Sequence, residues 1–113
     1  MSTTCLSDTD VHAALASMPG WSLAGGAVRR TYRTDGWSHT LMVVNAIGFV
    51  CEAADHHPDL LVRWSSVDVA LSTHSAGGIT VKDLAAAAAI DAAILWRPPP
   101  EGPLAGRRLV DGG

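Results

Sequence analysis

Cysteine is scarce in this chain: Cys5 and Cys51 are the only two. They lie far apart and no CxxC spacing occurs, so neither a disulfide framework nor a zinc knuckle is expected, and both read as free thiols. Aromatic residues make up 5% of the chain and charged residues 17%, against 48% hydrophobic, a balance too apolar for a disordered polymer. A long hydrophobic run is also missing. The longest mostly apolar stretch, Leu41 to Cys51, is interrupted by Asn45 and falls far short of a bilayer span, so no membrane partner is expected. Concentrated positive charge is absent too: the net charge is −3, and Arg29, Arg30 and Arg33 form the only basic cluster before the C-terminal tail. Phosphate binding needs a dense positive face, which makes nucleic acid a poor partner. The stretch MSTTCLSDTD has no basic residue and no apolar core, which predicts neither a secretory leader nor a transit peptide and suggests a cytoplasmic protein.

What is present suits one domain, since 113 residues can bury a modest core without a staple. Ser7 with Asp10 three residues on is a capping-box-like helix start. Val11, Ala14 and Leu15 then repeat at helical spacing until Pro19-Gly20 stops the run. Trp21 to Ala24 and Ala27 to Thr34 flank Gly25-Gly26, a pair able to form a two-residue hairpin turn. From Trp37 the period becomes helical. Val43, Ile47, Val50 and Ala54 make one row and Met42, Ala46, Phe49 and Ala53 a neighbouring one, with Thr34 or Asp35 as cap and an end near His56 imposed by Pro58.

Leu60, Val62 and Trp64 alternate, as do Val67, Val69 and Leu71, which predicts a second hairpin turning at Ser65-Ser66. That register pairs Trp64 with Val67, Val62 with Val69 and Arg63 with Asp68. Thr80 and Asp83 form a second capping box ahead of an alanine-rich helix ending near Leu95 or Trp96. The ordered domain is therefore expected over 1–96. Residues 97–113, RPPPEGPLAGRRLVDGG, are rich in proline and glycine and show no apolar period, so an extended or disordered tail that docks nowhere is expected.

Titratable chemistry concentrates in EAADHHPD, where His56 and His57 stand among Glu52, Asp55 and Asp59. Glu52 and His56 are four apart and would share a helix face, so the carboxylate can orient the imidazole and favour its protonated form. Extending the second hairpin's register sets His74 opposite His57, bringing three histidines to one end of the sheet. An acid–base site follows. Zinc also takes such ligands, but adjacent His56 and His57 diverge in direction whereas helical ligand pairs lie three or four apart; no metal is expected.

Glu52, three intervening positions, His56-His57-Pro58, Trp64, the STH that ends at His74, and Asp83 together resemble the spaced pattern of the pterin-4a-carbinolamine dehydratase family. The resemblance runs from LASMPGW (Leu15 to Trp21) to about Leu95. It implies an α+β chain of order αββαββα, with three helices on one face of a four-stranded antiparallel sheet, assembled as homodimers or homotetramers. The implied reaction removes water from 4a-hydroxytetrahydropterin to give quinonoid dihydropterin, in tetrahydropterin recycling linked to an aromatic amino-acid hydroxylase or to a molybdopterin pathway. Carried over by motif position, His56, His57 and His74 line the pterin site, Glu52, Asp55 and Asp83 are supporting acids, and Trp21 stands beside them. His56 and His74 read as the acid–base pair and His57 as the residue that orients the pterin. No metal or redox cofactor is implied. The segment RRTYRTDGW is more basic and less aromatic than the family pattern, and the tail extends beyond the family core.

Single features carry blander readings. A histidine pair after a helix suits solvated C-terminal capping, and Asp83, Trp21 and Trp64 are individually ordinary cap and core residues. Their joint spacing is what favours a site. Relatives of this fold also serve as dimerisation cofactors for transcription factors or as RuBisCO assembly factors, so a non-catalytic binding or assembly protein is the alternative. Glu52 and the three histidines favour the enzyme, because assembly places no evident demand on them.

Overall fold

A computed structural model describes residues 4–111. Ser7 caps the first helix, α1 (Asp8–Leu15), its hydroxyl accepting from the Asp10 amide at 3.1 Å, while Asp8 and Asp10 complement the positive end of the helix. Val11 and Leu15 enter the core. The chain turns back through Gly20, at φ +90°, where a Cβ would stand 2.6 Å from the Arg30 guanidinium; only glycine fits there. Strands β1 (Ser22–Ala24) and β2 (Ala27–Arg33) follow, joined at Gly25-Gly26 with φ of 60° and 74°, the double positive of a type I′ turn.

The long helix α2 spans Trp37–Ala54 and departs from expectation at both ends. Its N-cap is Gly36 rather than Thr34 or Asp35, because the Thr34 hydroxyl is engaged with Thr40 at 2.7 Å. It stops at Ala54, two residues before His56. Asp55 takes the left-handed conformation at φ 51°, and the His56 amide bonds back to the Cys51 carbonyl at 3.0 Å, closing the last turn. Its buried row is Thr40, Val43, Ile47 and Cys51, so Val43 and Ile47 hold their expected places while Val50 is only half-buried and Ala54 is exposed.

Strands β3 (Asp59–Arg63) and β4 (Ser66–Leu71) form the second hairpin, with a corrected register: Val62 pairs with Val67, Leu60 with Val69, and Leu61 with Asp68. The turn is Trp64-Ser65, one residue earlier than Ser65-Ser66. Tertiary hydrogen bonds select it, since the Thr40 hydroxyl donates to the Trp64 carbonyl and the Thr34 amide to the Ser65 carbonyl, both at 2.9 Å. A two-residue slip preserves the faces, so Leu60 still points toward the core and Arg63 still meets Asp68 as an ion pair at 2.5 Å. Trp64 leaves the ladder and lies exposed against Gly36.

The sheet order is β1-β2-β4-β3, antiparallel throughout. A short 3₁₀ turn (His74–Ala76) leads into α3 (Val81–Ile94), started by the full Thr80/Asp83 capping box. The element order is αββαββα, three helices on a four-stranded antiparallel sheet. Val28 and Tyr32 of β2 and Val67, Val69 and Leu71 of β4 bury with Val11, Val43, Ile47 and Ile90 in a single core. At one margin of it Asp91 of α3 accepts from the Trp21 indole at 2.9 Å and the Tyr32 hydroxyl at 2.5 Å. Arg30, 5% exposed, donates to the Pro19 carbonyl and lies over the Tyr32 ring, 3.4 Å from Asp91. A buried guanidinium is tolerable only with such company.

The C-terminal segment corrects the expectation of a tail that docks nowhere. Residues 97–108 follow no regular structure, but Val110 is 4% exposed in the core and forms an antiparallel bridge with Thr34, while the Asp111 amide bonds to the Arg33 carbonyl. β1 is only three residues long and leaves that half of the β2 edge open, which is the backbone Val110 takes.

Candidate active site

The site forms where α2 ends and α3 begins. Asp83, third residue of α3, is completely buried. Its Oδ2 accepts from the Thr80 amide at 2.9 Å and from the Thr73 hydroxyl at 2.8 Å, and its Oδ1 lies 2.6 Å from His56 Nε2. A carboxylate that already accepts twice is an acceptor for the third contact, so His56 donates through Nε2–H and its Nδ1 is left as the free ring nitrogen. The imidazole is 13% exposed. This pairing corrects the expected one with Glu52. Because α2 ends at Ala54 and Asp55 turns the chain left-handed, the four-residue helical spacing from Glu52 to His56 is lost.

Glu52 reaches His57 instead, Oε1 to Nε2 at 2.7 Å, on an open surface. The hydrogen bond to Glu52 raises the His57 pKa above its ordinary 6.5; desolvation opposes the rise, and the charges of Glu52 and Asp55 add to it. Asp55 itself is exposed at the helix terminus.

His74 arrives by a route other than the expected pairing. The β3–β4 ladder ends at Asp59 and Ala70, before either histidine, and His74 sits exposed at the start of the 3₁₀ turn. Backbone contacts that hold that turn include the Thr73 amide to the Gly78 carbonyl, and just beyond it the Leu6 amide bonds to the Ile79 carbonyl. The Cys5 thiol donates to the Ala76 carbonyl at 2.9 Å. Both cysteines are free thiols.

His56, His57 and His74 line one open cleft of about 320 Å³ together with Asp55, Thr73 and Lys82. Lys82 and His56 also line an adjoining cleft of about 250 Å³ over Ala85 and Ala86. Trp21 lines neither cleft. Its indole is tied to Asp91, eight residues along α3 from Asp83, a separation of about 12 Å at the helical rise. Glu52 touches the site only through His57. Lys82 and Thr73 are the residues that sequence reasoning did not single out; both flank recognised ones, Asp83 and His74, and a search of motif neighbours would have found them. Chemically, the cleft offers an imidazole oriented by a buried carboxylate, a second imidazole biased toward its protonated form, a third exposed one and an ammonium. That set can move protons on a small polar heterocycle.

Comparison with known proteins gives a family. The model of the family described as pterin 4 alpha carbinolamine dehydratase matches residues 4–93. A Mycobacteroides abscessus protein provisionally named pterin-4-alpha-carbinolamine dehydratase is 46% identical over 89 residues, 79% of this chain and 95% of the relative. A Chloroflexus aurantiacus protein with the same provisional name is 44% identical over 86 residues, covering 76% of this chain and 92% of its own. Among solved structures, a transcriptional coactivator/pterin dehydratase from Brucella melitensis superposes with a TM-score of 0.74 at 27% identity, over 79% of this chain and 97% of that one. The chain belongs to the pterin-4a-carbinolamine dehydratase family.

Proposed function

We propose that this protein dehydrates 4a-hydroxytetrahydropterin to quinonoid dihydropterin and water by histidine acid–base catalysis. The C4a–O bond breaks as the hydroxyl gains a proton, the N5–H proton is lost, and the C4a=N5 double bond forms. His56 is the base: it lines the cleft, Nε2 is taken by Asp83 so that Nδ1 is the nitrogen left to accept a proton, and the carboxylate on Nε2 stabilises the imidazolium produced. His74, exposed and lining the same cleft, donates to the departing hydroxyl. His57, kept protonated to higher pH by Glu52, and Lys82 hold the pterin's polar edge. The observation that carries this reading is the contact of buried Asp83 with His56, one of three histidines that line the same cleft.

The test follows the ultraviolet signal of freshly generated 4a-hydroxytetrahydropterin against its uncatalysed decay, with and without a chelator. Removing one acid–base group typically costs about 10² to 10⁴ in rate, and groups acting as a unit lose less than additively. His56→Ala and His74→Ala should each slow turnover, and the double variant should fall short of the product of the single losses. Wild type adding nothing to the spontaneous rate ends the dehydratase reading, and loss of activity with chelator ends its metal-free form.

Consistent with tetrahydropterin recycling beside an aromatic amino-acid hydroxylase or a molybdopterin pathway, we place the protein in the cytoplasm as a homodimer or homotetramer. A non-catalytic binding role is the second reading. The Brucella protein's description as a transcriptional coactivator supports it, as does Phe49, 77% exposed on α2. Absence of pterin turnover in the wild type would favour it.

A further inference from the structure

Thr73 is 5% exposed and immediately precedes His74. Its backbone is committed to the turn that carries that histidine: its amide donates to the Gly78 carbonyl at 2.9 Å, and its carbonyl accepts from the Ala76 and Gly77 amides at 3.0 Å. Its side chain is committed to the other half of the site. Thr73 Oγ1 lies 2.8 Å from Asp83 Oδ2 and 2.8 Å from Thr80 Oγ1.

A proton count orders these contacts. A threonine hydroxyl has one hydrogen, and an acceptor carboxylate claims that of Thr73. The Thr80 hydroxyl must then donate to Thr73 Oγ1, and it is free to do so because its own oxygen accepts from the Lys82 amide at 3.2 Å. The donors run in one direction, from Thr80 to Thr73 to Asp83, and end on the oxygen opposite the one that meets His56. The capping box alone would hold Asp83 by a single amide. The second donor fixes the rotation of the carboxylate, and with it the direction of Oδ1 and the ring plane of His56.

We infer that Thr73 is a positioning residue for the dehydration proposed above: one side chain and its backbone set both the His56 ring and the turn bearing His74, joining the two halves of the acid–base pair. The inference rests on that functional reading for its kinetics, but the geometry is testable without any pterin.

Thr73→Val removes the donor at nearly constant volume, and Thr73→Ser keeps it. Misplaced reacting groups cost up to about 100-fold, so kcat of Thr73→Val should fall about 10- to 100-fold with KM within about threefold, while Thr73→Ser stays within about threefold of wild type. The imidazole N–H proton signal of His56, assigned by its loss in His56→Ala, should be sharp in wild type and in Thr73→Ser. In Thr73→Val it should shift or broaden. Thr73→Ala carries the same measurements if the valine protein shows no cooperative melt. Unchanged kcat and unchanged signal without the hydroxyl overturn the inference, as does a serine variant as impaired as the valine one, which would assign the effect to packing. If wild type shows no turnover the dehydratase reading falls, and the proton signal alone then decides whether Thr73 holds His56.

Discussion

His56 Nε2 stands 2.6 Å from Asp83 Oδ1, and the carboxylate beneath it has no exposed surface. The same carboxylate closes the capping box of α3, so one side chain serves both the helix start and the His56 contact.

Asp83→Asn should therefore lower stability and turnover together. An amide cannot accept at both ends: its NH₂ must face either His56 Nε2–H or the Thr73 and Thr80 donors. Leaving a buried donor unpaired costs about 1–3 kcal/mol. Urea unfolding should show a loss of that size, and residual folded protein should turn over pterin at least tenfold more slowly, as expected when an acid–base group loses its orientation. A variant with wild-type melting and wild-type rate would dissolve the link.

The exposed Glu52–His57 pair governs a pH response of known sign. Because the His57 pKa is raised on folding, through the Glu52 hydrogen bond first, its contribution to stability is complete below the unfolded value and is lost as pH rises through the folded one. In a titration followed by NMR, the His57 ring should show its midpoint above the ordinary 6.5, and Glu52→Gln should bring it down. A midpoint indifferent to Glu52→Gln would show that the contact is not populated in solution.

Val110 should matter to stability although it lies beyond the family match at residues 4–93. Val110→Ala removes two buried carbon groups, worth about 1.6 kcal/mol by transfer. For a domain of this size each kcal/mol shifts the melting temperature by about 4–8 °C. Truncation after Arg97 should lower it at least as much, since the Thr34 bridge goes too. A truncated chain that melts like the full one would show that the terminal bridge contributes nothing.

Association of copies is expected from the apolar surface left open: Phe49 is 77% exposed, Trp64 67% and Leu61 54%, the last on the edge strand β3. Light scattering at micromolar concentration should give a multiple of 11.8 kDa, reduced by Phe49→Glu. A monomer mass for the wild type would count against assembly.

Local rules were enough wherever neighbours in sequence settle the geometry. Gly25-Gly26 dictated a type I′ turn, Ser7 and Thr80 with Asp83 dictated helix starts, and alternation in Val67, Val69 and Leu71 dictated a buried strand face. The spaced pattern from Glu52 to Asp83 was legible as a family signature for the same reason: it is a set of positions along one chain.

Partners were not legible. Glu52 meets His57 rather than His56 because a left-handed Asp55 ends the helix early, and the cost of that conformation is met by backbone bonds to Cys51 and Glu52. The turn at Trp64-Ser65 was chosen by Thr34 and Thr40 from another element, a choice that alternation cannot reveal because a two-residue slip keeps every side chain on its face. Val110 docks on a β2 edge that is open only because β1 is short. The sequence by itself determined which elements form and which residues make up the family pattern. Only the tertiary structure decided which carboxylate holds which imidazole, since hydrogen bonds between side chains far apart in the chain depend on distances that no local period encodes.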